Sequence, residues 1–150
     1  MKKIIITVSI LLLIFMVGMK FYSQKQETIA FAEPVVDVLK IAGKSKSEVV
    51  SVLGKESSCS QSKYGEACQY QKGETHIVYI NGKADWITVE DIDQIPFSTN
   101  ALTAIGLNPT QPSFKDGYSL QWSSIQGLME VSIFKGASSS DYAYIKVKTK

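Results

Sequence analysis

Glu48-Val49-Val50-Ser51-Val52-Leu53-Gly54 and Asn100-Ala101-Leu102-Thr103-Ala104-Ile105-Gly106 are two versions of one local pattern. Each spaces apolar residues for a short helix and then stops it with glycine, which enters a left-handed cap at little steric cost. The parallel continues downstream. Sixteen residues past each glycine an aromatic stands in an extended segment, Tyr70 after Gly54 and Trp122 after Gly106. β-branched and aromatic runs follow at Thr75–Ile80 and Leu128–Phe134, and a third pair at Ala84–Val89 and Tyr142–Val147. Asn81-Gly82 is a two-residue hairpin signal, and residues 136–140 make a longer turn at the corresponding place. A helix with three strands is too small to bury a core alone, so the two units are expected to share one. The predicted fold class is α+β: two α-βββ repeats, about 35–90 and 91–150, forming one antiparallel sheet of about six strands with helices on one face.

Outward from the repeat, alternation divides each strand between two faces. Ile87, Val89, Val131, Ile133, Ile145 and Val147 point toward the helices. Trp86, Thr88, Glu130, Ser132, Tyr142, Tyr144 and Lys146 point the other way and form the candidate binding face, because exposed Trp and Tyr ringed by polar groups mark interface centres. The competing reading has these aromatics shielding sheet edges or folding under the loop at 108–117.

The N-terminus has a different character. Residues 4–17 are uncharged and follow Lys2 and Lys3, the arrangement of an export signal. From Ile4 to Met19 the run would make about 24 Å of helix, a little short of a hydrocarbon core unless Lys20 snorkels and Phe21 and Tyr22 sit at the interface. Ala30-Phe31-Ala32 has the form of a cleavage site but lies about ten residues beyond the apolar run. Retained anchor and cleaved signal both stay open. The organisation expected is a signal-anchor or transmembrane helix over 1–22, a polar tether over 23–34 and an extracytoplasmic domain over 35–150. The membrane would be met through residues 4–22, as a single pass, with the C-terminal domain in the periplasm or at the cell surface by the positive-inside rule. If the leader is cleaved, the domain is secreted.

Composition narrows the chemistry. All 16 basic residues are lysines, so the bidentate arginine clamps of nucleic-acid sites are missing and no nucleic-acid partner is expected. Four lysines fall in the first 25 residues, which leaves 12 against 14 acids in the remainder. Cys59 and Cys68 are the two cysteines, and outside the cytoplasm a disulfide is the default. A metal site would have His76 alone as a further soft ligand, and a redox pair would want Cys-x-x-Cys spacing. No serine stands in Gly-x-Ser-x-Gly or Ser-x-x-Lys with a credible partner set. Glu90, Asp91 and Asp93 precede an apolar run from Ile95 to Leu107 and read as the acidic N-terminal complement of a helix with Pro96 in its first turn. No catalytic residue, metal or small-molecule cofactor is expected.

Ala42-Gly43-Lys44-Ser45-Lys46-Ser47-Glu48-Val49-Val50-Ser51-Val52-Leu53-Gly54, followed by a polar loop and three strands, resembles the α-β unit of the β-lactamase inhibitor protein fold. It is also similar to the SmpA/OmlA (BamE-type) envelope lipoproteins, whose domain opens with a Gly-x-[Ser/Thr]-x-x-[Glu/Asp]-Val helix ending in Leu-Gly. The chain departs from the lipoproteins in having no lipidation cysteine near the apolar run, and in having Leu53-Gly54-Lys55-Glu56 where Leu-Gly-x-Pro is usual. The resemblance implies a tandem-unit sheet that binds another protein and carries out no reaction; it transfers no single contact residue. The function expected is a membrane-anchored, non-catalytic domain engaging another envelope protein through the open sheet face. An enzyme inhibitor or immunity-type protein blocking a hydrolase is the alternative. A hydrolase or carbohydrate-active enzyme is the third class; it would need a cleft holding two functional carboxylates or a Ser/His pair, and His76 beside Asp85 and a serine would point to it.

Overall fold

The computed structural model describes residues 33–137 and 139–147. The expected helix over 1–22 and residues 23–32 of the expected tether lie outside the described residues. Among the described residues no helix is long and apolar enough to cross a membrane.

The predicted helix forms as α1 (Lys46–Leu53). Its start is held by Glu48, whose carboxylate accepts from the Ser45 backbone N–H at 2.8 Å and from Ser45 Oγ at 2.7 Å. Gly54 ends it at φ 87°, ψ −176°, a region open only to glycine, in place of the left-handed cap expected. Four strands follow, β1 (Ser58–Ser62), β2 (Gly65–Tyr70), β3 (Thr75–Ile80) and β4 (Lys83–Val89). A 3₁₀ segment over Thr99–Ile105 opens the second half, which continues as β5 (Phe114–Lys115), β6 (Ser119–Ser123), β7 (Glu130–Lys135) and β8 (Ser140–Lys146).

The strands form one antiparallel eight-stranded sheet in the order β1-β2-β3-β4-β8-β7-β6-β5. That order is the same read from either edge: each half builds its own meander, and the halves meet through their last strands. Ile87 faces Ile145 and Thr88 faces Tyr144 across the seam. The fold is α+β, with eight strands in place of about six. The two additions are the edges. β1, Ser-Cys-Ser-Gln-Ser, is exposed along its whole length and has no apolar alternation to announce it, and β5 is only two residues long. The Asn81-Gly82 turn forms as expected, with both residues at positive φ (52° and 73°), which matches hairpin twist.

One face of the sheet is packed. Ile77, Ile87, Val89, Leu120, Trp122, Val131, Ile133 and Ile145 join Val49 and Leu53 of α1 and Leu102 and Ile105 of the 3₁₀ segment in a single core. Thr99–Ile105 is 3₁₀ rather than α, and its start is capped by Ser98, whose Oγ accepts from the Asn100 N–H at 3.3 Å. The acids Glu90, Asp91 and Asp93 therefore do not begin this helix. Ile92 is buried and the Ile95 N–H donates to the Ile92 carbonyl at 3.0 Å, a turn that separates the acids from the helix by several residues.

Local devices hold the outer strands. Cys59 and Cys68 sit directly opposite one another in the β1–β2 ladder and are joined by a disulfide. Lys46 of α1 donates to Glu66 at 2.8 Å and to Cys59 Sγ at 3.3 Å, which ties the helix to this hairpin. Gly65 has no alternative: at φ 147° a Cβ would collide with the Tyr79 carbonyl of β3. Beneath, the buried hydroxyls of Tyr70 and Tyr79 share a hydrogen bond of 2.6 Å. Burial, then the bond to Tyr70, pushes the Tyr79 phenol well above the ordinary tyrosine range.

Two outcomes follow. Replacing both cysteines with alanine should lower stability by about 2 to 3 kcal/mol in urea unfolding, since the closed loop is short, and β1 amides should lose hydrogen-exchange protection first. The raised Tyr79 phenol stabilises the fold below the ordinary value of 10.0, and that contribution is lost as pH rises beyond it. Tyr79→Phe should accordingly flatten the fall in stability expected as pH rises above 10.0, while losing roughly 1 kcal/mol at neutral pH because the Tyr70 hydroxyl is left unpaired.

Candidate functional site

On the face away from the core, strand register lines the side chains into rows. Gln69, His76, Thr88, Tyr144, Ser132 and Gln121 make one row, ending at Ser58 on one edge and Phe114 on the other. Val78, Trp86, Lys146 and Glu130 make the next. Tyr142 stands opposite Phe134 in a third, their rings stacked at 4.7 Å. The structure thus places all the predicted face residues on one side and brings Trp86 to Lys146 to Glu130, and Thr88 to Tyr144 to Ser132, as direct cross-strand neighbours.

Their roles differ once contacts are counted. Lys146 Nζ donates to Asp85 Oδ1 at 2.7 Å and lies 4.4 Å from the centre of the Trp86 ring. Consecutive residues contact the same lysine because β4 carries a bulge: Val78 pairs with Trp86 while Tyr79 pairs with Ala84, so Asp85 is the extra residue. Trp86 is further covered by Tyr64 from the β1–β2 turn, centroids 4.5 Å apart, and its Nε1 is buried without a hydrogen-bond partner among the described residues. Ser132 is only 1% exposed and its Oγ donates to Glu130. It forms part of the floor and does not present a contact, which corrects its place among the expected surface residues: the larger neighbours Tyr144 and Glu130 overhang it. Burial, then the carboxylates of Glu130 and Asp85, holds the Tyr144 phenol above its usual range.

A cavity of about 350 Å³ opens over the first half of this face, lined by Ser58, Gln69, His76, Thr88, Trp86 and Tyr144 among others. His76, Gln69 and Tyr64 were not among the residues expected there. The first two obey the same alternation that sorted the later strands, His76 being flanked by buried Thr75 and Ile77. Tyr64 lies in a turn, where no periodicity signals direction. The loop at 108–117 does not bond over the aromatics: Trp122 Nε1 donates to the Thr110 carbonyl, and Ser113 exchanges bonds with Gln121 and Ser123 along β6.

His76 does not stand beside Asp85. His76 pairs with Thr88, three residues along β4 from Asp85, which puts roughly 10 Å between them. Its acidic neighbour is Glu90, 3.7 Å from Nε2. The ligand atoms of Cys59, Glu66 and Cys68 lie within 4.8 Å of one another, but both sulfurs are spent in the disulfide.

A second cavity, of about 430 Å³, opens at the end of the β4–β8 seam and is lined by Glu74, Glu90, Asp91, Asp93, Asp141 and Tyr142. The N–H groups of Glu90 and Asp91 both donate to the Gly73 carbonyl, at 3.2 and 3.3 Å, which draws the end of β4 against the turn carrying Glu74.

Removing Lys146 as Met should destabilise the protein by about 1 to 3 kcal/mol, since it removes the charge-assisted hydrogen bond from the ammonium to the buried Asp85 carboxylate. A double-mutant cycle with Asp85→Asn, read by urea unfolding, should return a coupling of at least roughly 1 kcal/mol; a value near zero would mean that solvent has replaced the pair.

Comparison with known proteins adds no relative to this geometry, since no family model, no curated protein and no solved structure matches the chain.

Proposed function

We propose that the chain is a membrane-anchored, extracytoplasmic, non-catalytic binding domain that engages another envelope protein through the open face of its sheet. The observation that carries this reading is the pair of continuous side-chain rows, rich in aromatics and neutral polar groups, on the face opposite the core. Eight strands at about 4.8 Å spacing span roughly 34 Å, enough for one side of a standard protein interface of about 800 Å². Trp86, Tyr142 and Tyr144, half-buried and braced by neighbours, are anchors that lose little conformational freedom on binding.

Three further observations support the reading. The strand order, identical from either edge, is what two α-β units joined through their last strands would make. This accords with the resemblance to the β-lactamase inhibitor protein fold and the SmpA/OmlA (BamE-type) proteins, whose sheets bind proteins. The disulfide suits an oxidising compartment. The apolar run over residues 4–19 with its preceding lysines supplies the anchor and the orientation.

The test is in-cell crosslinking of the full-length chain with mass spectrometry, in parallel with a Trp86→Ala/Tyr144→Ala variant of unchanged circular dichroism. One envelope protein should be captured by the wild type and lost in the variant. Capture that persists in the variant would remove the aromatic face from consideration as the site. If the captured protein is a hydrolase held stoichiometrically and silenced, the inhibitor form of the reading is the right one.

A further inference from the structure

Resting on the open-face reading, we propose that the segment of the partner received by this face is cationic: an extended loop that lays apolar side chains on Trp86 and Tyr144 and delivers a Lys or Arg side chain into the carboxylate-lined cavity at the end of the β4–β8 seam. The two sites are one track. Along β4 the residues facing the partner run Trp86 and Thr88, and the chain then passes to Glu90; along β8 the order is Lys146, Tyr144, Tyr142, with Asp141 beside the last. Antiparallel pairing sets these series side by side, so the track is aromatic at one end and acidic at the other.

Charge is divided along it. The cavity at the acidic end is walled by five carboxylates, those of Glu74, Glu90, Asp91, Asp93 and Asp141, and by the ring of Tyr142. The cations of this face are engaged elsewhere: Lys146 lies on Asp85 and Trp86, and Lys63 lies over the Tyr64 ring. Lys72 reaches the Val52 carbonyl of α1, away from the acids. His76 Nε2 lies 3.7 Å from the Glu90 carboxylate. A cation entering between these acids gains Coulombic attraction and charge-assisted hydrogen bonds. The Tyr142 ring, itself stacked on Phe134, adds a face to which a guanidinium or ammonium is drawn. The same field disfavours an anionic lipid headgroup or a nucleic acid on this surface.

The test uses the full-length chain and a library of immobilised peptides of about ten residues. One half of each peptide is varied among Leu, Phe, Tyr, Trp and Ser, and the other carries Lys-Arg, Gln-Gln or Glu-Glu in otherwise identical sequences. Members that retain the protein should belong to the Lys-Arg set, with Gln-Gln counterparts weaker by at least about tenfold. An Asp91→Asn/Asp93→Asn/Asp141→Asn variant should lose that preference, and Trp86→Ala/Tyr144→Ala should lose retention altogether. Equal retention of Lys-Arg and Gln-Gln members that still depends on Trp86 and Tyr144 overturns the cationic inference and leaves the face reading standing. Retention indifferent to both sets of substitutions overturns both, and no retention by any member overturns the inference. Calcium chloride titrated alone in a calorimeter gives the last arm: micromolar binding abolished by the triple variant would make the cavity a metal site and also overturn the inference.

Discussion

The antiparallel pairing of β4 with β8 is the contact on which the rest of the molecule depends. Either half alone is a four-stranded meander with short helical segments, too little to exclude water from a core. Joined along this seam, Ile87, Ile145 and Val131 line up across three adjacent strands and are all fully buried, and the helical segments of both halves close over the same layer. The same register that buries these residues on one side aligns Trp86 with Lys146 and Thr88 with Tyr144 on the other. Core and candidate site are consequences of one pairing.

A sheet register is vulnerable to slippage by one residue, which would turn every side chain to the wrong face. Here the seam carries a polar lock. The bulge at Asp85 turns a carboxylate toward Lys146, and the Val147 N–H donates to the Asp85 carbonyl at 2.8 Å. A buried ion pair is weak evidence of added stability, because desolvation offsets most of the attraction. Its value lies in specificity: in any other register Asp85 would be buried away from Lys146. The indole N–H of Trp86 is buried without a hydrogen-bond partner among the described residues, and such a group is better tolerated where a ligand can supply an acceptor.

The edges are handled differently in the two halves. β1 buries no side chain and is held by its ladder, the disulfide and Lys46, whereas β5 is cut to two residues. A short edge and a polar one both discourage unwanted strand pairing. The first half also keeps a true α-helix, while the second substitutes a 3₁₀ segment whose Ala101, Leu102, Ala104 and Ile105 are nearly all enclosed.

The repeat and the alternation of apolar residues were enough to place the six inner strands and the core-facing set from Ile87 to Val147; the Asn81-Gly82 turn signal placed the hairpin, and the presence of two cysteines placed the disulfide. These are local or combinatorially simple: side-chain period follows from backbone geometry, and two cysteines admit one disulfide. What lay beyond reach depends on residues distant in the chain. β1 and β5 lack apolar pattern because they sit where there is no core to face. Ser132 was read as surface, yet in the fold it is buried. Glu90, Asp91 and Asp93 were read as helix-starting acids because they precede an apolar run; in the fold they converge with Glu74 and Asp141. That convergence follows from a hydrogen-bonded turn at Gly73 and from strand order, neither of which has a local sequence signal, since electrostatic fields are set by distance in space and only the tertiary structure fixes it.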